Sequence, residues 1–201
     1  MKNFLAIDTS SKHLTVIAKK GSEKSIIFLP DCALSHSTEL MDAIEKALSE
    51  CDLKVSECDF FCAVTGPGSF TGIRIGVSTV KGFAVGTGMS AFGVTSFETL
   101  AYNTDKACLA VIDAGRGNYY ACGFNKNKQI DIEPCFVNES KILELCKNRE
   151  IISCDNLPFS HIKADAAVGY NRAIEDKLKK NNMEKVSAFY LKKSQAEEEK
   201  K

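Results

Sequence analysis

A glycine-rich segment offers the clearest candidate for chemistry in this chain. It reads Gly66-Pro-Gly-Ser-Phe-Thr-Gly-Ile-Arg74 and leads from an apolar run into an amphipathic stretch. Glycines at a helix N-terminus let backbone N–H groups approach an anion, so phosphate binding is one interpretation. It is not a Walker A loop, because no Lys-Ser/Thr pair follows the second glycine and Arg74 comes too late to replace the lysine. The alternative, which the local chemistry favours, is a tight strand-to-helix turn capped by Ser69.

Two aspartates end short apolar runs and are followed by polar turns. Asp8 precedes Thr9 and Ser10, and Asp113 precedes a turn that contains Arg116. Each carboxylate could hold a metal-bound phosphate or a water, or it could bond its own turn amides, which is the commoner use. An ion pair within the turn is the corresponding alternative for Asp113 and Arg116. The shared pattern of strand, aspartate, turn and returning strand indicates a weak internal repeat.

Histidines and cysteines form no assembled catalytic or metal-binding pattern. His36 is a candidate base or ligand, but His13 and His161 are scattered and no second histidine lies within two helical turns of it. The nine cysteines include no CxxC pair, and the chain contains no GxSxG elbow. We therefore predict no zinc or iron site, and we expect reduced thiols in a reducing compartment.

The composition is that of an ordinary globular protein. Of 201 residues, 44% are hydrophobic, and 26 basic residues balance 26 acidic ones to give a formal net charge of zero. A formal net charge of zero argues against a large basic face, so if nucleic acid is bound, another chain would supply much of the positive field. No apolar run reaches the ~18 residues that a membrane span needs. The charge at Asp8 also interrupts any signal-peptide core, so a cytoplasmic protein is expected.

Hydrophobic periodicity predicts alternating strands and helices, which is typical of an α/β protein. The strands lie at about 4–8, 14–18, 25–29, 60–65, 92–94, 108–113, 119–124 and 151–152. The helices lie at about 37–51, 70–86, from 96 onward, 141–148 and 172–181. Gly72 and Gly76 fall four apart in the second helix, where each costs about 1 kcal/mol relative to alanine. Some close approach of backbone should compensate for that cost.

The glycine-rich segment and five further stretches resemble the TsaB (YeaZ) family, bacterial components of the tRNA threonylcarbamoyladenosine machinery. Residues 66–76 and 79–82 carry the most specific similarity, and the others are 7–10, 36–40, 94–101, 111–120 and 190–197. The similarity is strong over residues 1–120 and weak over 125–185. The chain lacks the HxxxH metal motif of the related subunit TsaD, which agrees with TsaB.

The resemblance implies a two-lobed α/β fold of the actin/Hsp70/sugar-kinase (ribonuclease H-like) type with a reduced second lobe. The predicted first lobe, residues 1–102, carries the partner-binding helices. The predicted second lobe, residues 103–201, ends in a frayed tail. Asp42 stands where the family often has proline, and Gly115 stands where it has Arg-rich residues. These departures leave open the shape of the first helix and any ligand contact of the second lobe.

The resemblance also implies a non-catalytic subunit that activates or stabilises a TsaD-like enzyme. That enzyme forms N6-threonylcarbamoyladenosine at position 37 of ANN-decoding tRNAs, from an adenylate-bound group made by TsaC or a relative. A TsaE-like ATPase would join the complex, and tRNA would be bound through the complex. ATP and a metal ion would belong to the partner subunits, with no cofactor in this chain. The same face of the first lobe could also form a homodimer.

Two groups of residues follow from the resemblance. The implied partner interface comprises His36, Leu40, Ile44, Gly72, Ile73, Gly76, Val77 and Val80. A candidate vestigial nucleotide or phosphate cleft comprises Asp8, Thr9, Ser10, Gly66, Gly68, Ser69, Asp113 and Arg116. The alternative function is an actin-like-fold kinase or ATPase that uses Asp8 and Asp113. A peptidase, a label that relatives have carried, is disfavoured because nucleophile and metal ligands are missing.

Overall fold

The computed structural model describes residues 2–192, which form two compact units with one five-stranded sheet each. Unit 1 contains residues 2–95 and 174–189, and unit 2 contains residues 96–173 and 190–192. Strands and helices alternate in both units, which confirms the predicted α/β class. The predicted frayed tail at residues 196–201 lies outside the described residues.

The sheet of unit 1 has five strands. They are β1 (Phe4–Asp8), β2 (Leu14–Lys20), β3 (Glu23–Leu29), β4 (Phe60–Val64) and β5 (Ser90–Val94). Their order across the sheet is β3-β2-β1-β4-β5. β1 pairs antiparallel with β2 and parallel with β4, so the chain crosses over the sheet between β3 and β4. β1 and β4 are buried along their whole length, as the continuous apolar runs predict.

Two helices cover one face of this sheet, α1 (His36–Glu50) and α2 (Phe70–Thr87). α1 packs on β2 and β3, while α2 packs on β1, β4 and β5. Their apolar stripes meet the sheet residues in a single core that includes Ile44, Val80, Ile7 and Phe61. α2 ends where Gly88 adopts the left-handed conformation at φ 75°, which is the usual way to stop a helix.

The segment 184–189 returns to unit 1. Gly93 N donates to Glu184 O at 3.1 Å, and Phe189 N donates to Thr65 O at 2.8 Å. An antiparallel bridge between Phe92 and Lys185 covers the outer edge of β5. The division therefore differs from the predicted boundary at residue 102. Local periodicity gave no sign that a late segment pairs with strands more than 90 residues earlier in the chain.

Unit 2 repeats the strand order of unit 1. Its strands are β6 (Cys108–Gly115), β7 (Asn118–Phe124), β8 (Ile130–Asn138), β9 (Glu150–Ser153) and β10 (Ile162–Lys163). They lie in the order β8-β7-β6-β9-β10, and β6 pairs antiparallel with β7 and parallel with β9. Each strand thus has its counterpart five strands earlier, which confirms the internal repeat inferred from Asp8 and Asp113.

Three further α-helices lie between residues 96 and 180. They are α3 (Ser96–Ala101), α4 (Glu139–Leu145) and α5 (Ala166–Lys180). α3 packs on β6 of unit 2 and so belongs to that unit, contrary to the predicted first lobe. α5 begins in unit 2, and its residues from Ile174 onward belong to unit 1. β8 was not predicted, because Pro134 and a register shift opposite Cys122 break its alternation.

None of the nine cysteines, all within the described residues, forms a disulfide. Burial raises the pKa of the Cys58 and Cys122 thiols to about 12 and that of Cys108 to about 11. These thiols therefore behave as small apolar side chains rather than as nucleophiles.

The buried thiols make the stability depend on pH under alkaline conditions. A thiol whose pKa is raised in the folded state keeps its proton there, whereas the unfolded chain loses it above pH ~9. We therefore expect the free energy of unfolding to fall as the pH rises from about 9 towards 12. Denaturant titrations across this range should show a weaker fall in Cys122→Ala than in the wild type. An equal fall in both proteins would contradict the assignment for Cys122.

Candidate functional site

The loop after β1 is packed against the first turn of α2. Thr9 Oγ1 donates to Gly72 O at 2.6 Å, and Ser69 N donates to Ser10 O at 2.7 Å. Ser69 caps the helix, since its Oγ accepts from Gly72 N at 3.2 Å. Thr9 and Ser10 are buried in this contact. The glycine-rich segment and the Asp8 turn, predicted separately, therefore form one structure.

The glycines of the segment are required by this contact. A Cβ on Gly72 would lie 1.9 Å from Thr9 O, and one on Gly68 would lie 2.1 Å from Ser10 O. A Cβ on Gly76 would lie 2.6 Å from Thr9 Oγ1. The expected close backbone approach is thus confirmed at Gly72, whereas Gly76 faces the side chain of Thr9. Both contacts are made to a loop of the same unit.

The candidate phosphate turn is filled by the chain's own groups. The Ser69 amide is taken by Ser10 O, and the Gly72 amide is taken by the Ser69 hydroxyl. Gly66, at φ 107°, is enclosed as well, because a Cβ there would lie 2.6 Å from both Phe189 O and Ile73 Cδ1. An anion at this helix start would have to displace these bonds. The geometry favours the tight turn, as the local sequence did.

Asp8 serves its own turn. Its Oδ1 accepts from Ser10 N at 2.8 Å and from Ser10 Oγ at 2.7 Å. Burial raises the pKa of Asp8, although the bonds from Ser10 and the nearby His36 and His13 favour the carboxylate. His36 is also buried, with its Nε2 3.2 Å from His13 O. These groups stabilise the β1–β2 loop and the start of α1.

Asp113 and Arg116 lie in unit 2, at the hairpin between β6 and β7. Asp113 Oδ1 accepts from Gly115 N at 2.8 Å, while Asp113 N donates to Asp155 Oδ2 at 2.9 Å. Arg116 is exposed in the left-handed conformation at φ 57°. Within the described residues no ion pair joins it to Asp113, so the ion-pair interpretation of this turn is wrong. Asp155 was not predicted, because it comes from a distant loop with no motif around it.

The predicted partner interface needs correction. All eight of its residues are buried within unit 1: His36, Leu40, Ile44, Gly72, Ile73, Gly76, Val77 and Val80. The aliphatic residues among them belong to the core beneath α1 and α2. A buried side chain cannot contact another protein. The error has a simple cause, because hydrophobic periodicity marks the face of a helix that packs on its own sheet.

The opposite face of α2 is exposed and carries small residues. Ser78, Gly82, Val85 and Gly86 fall at helical spacing on this face, and Val85 is 85% exposed. Nothing lies within 4 Å of a Cβ built on Gly82 or on Gly86. The fold of this chain therefore does not explain these two glycines. On α1, the exposed residues include Met41, which is 54% exposed.

The outward faces of the two helices differ in charge. α2 contains no acidic residue, and its Arg74 and Lys81 are exposed. The exposed side of α1 carries Glu39, Asp42 and Glu45, with Lys46 among them, so acidic residues predominate there. We use the name docking face for the exposed residues Met41, Asp42 and Glu45 of α1 and Ser78, Lys81, Gly82, Val85 and Gly86 of α2.

No cluster of three or more His, Cys, Asp or Glu side chains between residues 2 and 192 is suited to a metal ion. In the same part of the chain, none of the helices has the length and apolar character of a membrane span.

Comparisons with known proteins agree on one family. The model described as TsaD, tRNA N6-adenosine threonylcarbamoyltransferase, matches residues 28–198. The TsaB protein of Bacillus subtilis (strain 168) is 33% identical over 119 residues, 58% of this chain and 52% of that protein. The TsaB protein of Escherichia coli (strain K12) is 28% identical over 130 residues, 62% of this chain and 55% of that protein. The chain thus spans little more than half the length of these relatives.

Two solved structures from Pseudomonas aeruginosa share the fold. One is an uncharacterized protein with similarity to peptidase YEAZ, with a TM-score of 0.78, 16% identity, and coverage of 96% of this chain and 100% of that chain. The other is YeaZ, with a TM-score of 0.72, 16% identity, and coverage of 92% and 96%. Likeness at this identity establishes the fold alone, and it confirms the predicted fold class.

The two kinds of glycine on α2 predict opposite effects of the same substitution. Gly72→Ala would force a methyl group against the Thr9 carbonyl, so we expect a loss of about 1–3 kcal/mol in the free energy of unfolding. Gly82→Ala is the matched control, and it should gain up to about 1 kcal/mol because alanine favours the helix. Urea denaturation measures both. A Gly72→Ala variant as stable as Gly82→Ala would refute the described contact.

Proposed function

We propose that this chain binds and activates a TsaD-like catalytic subunit. The basis is that the chain belongs to the TsaB (YeaZ) branch of the TsaD (tRNA N6-adenosine threonylcarbamoyltransferase) family. The complex would form N6-threonylcarbamoyladenosine at position 37 of ANN-decoding tRNAs. In this proposal the transfer reaction takes place on the partner, and this chain is a non-catalytic subunit.

The observation that carries the proposal is the unexplained pair Gly82 and Gly86. Glycine inside a helix costs about 1 kcal/mol relative to alanine, and within residues 2–192 nothing occupies the space above either residue. Small residues at a helix surface allow the backbone of a second helix to approach closely. The exposed Val85 and Met41 beside them would add apolar area to such a contact. A helical partner on the docking face accounts for both features.

The filled turn supports a non-catalytic role. The Ser69 and Gly72 amides and one oxygen of the Asp8 carboxylate are engaged by the chain itself, so this turn is not prepared for a nucleotide phosphate. We accordingly propose that this chain needs no cofactor of its own. ATP and a metal ion would be used by the TsaD-like subunit and by a TsaE-like ATPase. Both the tRNA pathway and the reduced cysteines favour the cytoplasm.

The docking face could also bring two copies of this chain together. The acidic side of α1 and the basic side of α2 are complementary if the α1 of one copy lies against the α2 of the other. A homodimer of this kind would use the surface that binds the TsaD-like subunit. The two states would then exclude each other.

Substitutions on the docking face test the proposal. Val85→Glu and Gly82→Arg should each abolish co-elution with the TsaD-like subunit, because one buries a charge and the other fills the space for a helix. Both residues are exposed, so the melting temperature of the isolated chain should not fall in either variant. Val168→Glu, at an exposed apolar position of unit 2, is the matched control and should co-elute normally.

The alternative function makes a different prediction. An ATPase of this fold would hydrolyse ATP without any partner and would lose that activity in Asp8→Ala. We expect no hydrolysis above background from the purified chain, measured as phosphate release. Hydrolysis that depends on Asp8, together with normal co-elution of Val85→Glu, would overturn the proposed function.

A further inference from the structure

Two aromatic side chains form a pair on one face of the unit 2 sheet. Tyr120 on β7 lies directly opposite Phe136 on β8, and their ring centroids are 5.6 Å apart at an interplanar angle of 50°. Phe136 is 39% exposed, although apolar rings on a sheet are usually covered. Tyr119, the neighbour of Tyr120, faces the other side and packs in the core of the unit with Phe159.

Cationic and amide groups lie around this pair. Lys192 Nζ is 5.5 Å from the centroid of the Phe136 ring, and its side chain is exposed. Asn118 lies opposite Asn138 two positions along the same strands, so this amide pair is on the same face as the rings. Arg116 is exposed at the hairpin that leads into β7.

The size of the surface limits what can bind there. A stable protein interface buries about 800 Å² on each partner, which one half-exposed pair of rings does not provide. A nucleobase needs only one ring face for stacking, and unpaired RNA is recognised in this way on the sheets of other proteins. Lys192 beside the Phe136 ring, and Arg116 at the hairpin that leads into β7, could neutralise phosphates of a bound strand.

We propose that Tyr120 and Phe136 form a stacking surface for an unpaired base of the RNA substrate. That the ligand is RNA rests on the proposed function. That the contact is a stacked base rests on the rings, the neighbouring cations and the small area. One stacked base and few phosphate contacts also suit a chain of zero net charge, which would hold RNA weakly alone and contribute within the complex.

Fluorescence anisotropy with the full-length chain tests this proposal. The probe is a labelled RNA hairpin with an unpaired loop, compared with a fully paired RNA duplex and with AMP as a competitor. Phe136→Leu keeps apolar volume but removes the ring, and it should weaken hairpin binding about tenfold, as expected for loss of one stacking contact. Phe136→Tyr should bind within about twofold of the wild type. Ile130→Ala, an exposed apolar position on the same strand, is the control and should bind normally.

Tyrosine emission gives a readout that a purely structural role would not change. The chain has five tyrosines and no tryptophan, so a base stacked on Tyr120 should quench its emission, and Tyr120→Phe should remove most of the quenching. Equal binding of hairpin and duplex, full competition by AMP, or unchanged binding by Phe136→Leu would overturn the proposal. Co-elution of Phe136→Leu with the TsaD-like subunit should remain normal. A failure here is therefore distinguishable from a failure of the proposed function.

Discussion

The contact between the Thr9–Ser10 loop and the start of α2 determines how unit 1 is built. Two backbone carbonyls, Thr9 O and Ser10 O, reach positions that only glycine leaves open at Gly72 and Gly68. Since the loop belongs to the central strand β1, this contact fixes the helix against the middle of the sheet. The same contact occupies the Ser69 amide, and the Ser69 cap occupies the amide of Gly72. An anion at this turn would therefore compete with bonds that hold the helix in place.

This contact separates two kinds of glycine on a single helix. Gly72 and Gly76 face inward and are explained by Thr9, whereas a Cβ on Gly82 or Gly86 would meet nothing within 4 Å in the part of the chain that the structure describes. The second pair weakens the helix without allowing any contact among the described residues, and that is the physical argument for a partner. The charges of α1 and α2 would orient a partner on the docking face, because acidic residues predominate on α1 and the charged residues of α2 are basic.

Much of the fold could be predicted from the sequence, because buried strands and amphipathic helices leave local patterns. The strand–Asp–turn repeat at Asp8 and Asp113 indicated an internal repeat, and the structure extends it to the strand order of both sheets. β8 and the return of residues 184–189 could not be predicted, since one is interrupted by Pro134 and the other depends on distant pairing. The candidate interface failed for a different reason. Hydrophobic periodicity identifies the residues of a helix that face its own core. A docking face has to be recognised from exposed residues, such as Gly82, that the core does not require.

On the proposed function, position 82 is glycine because the backbone of the TsaD-like subunit approaches it. The affinity of Gly82→Ala for the TsaD-like subunit, measured by isothermal titration calorimetry beside the wild type, tests this most directly. The substitution adds one methyl group at a position where the isolated fold has room for it. We expect the affinity to fall at least severalfold while the variant is at least as stable as the wild type. Unchanged affinity in a stable variant would contradict it.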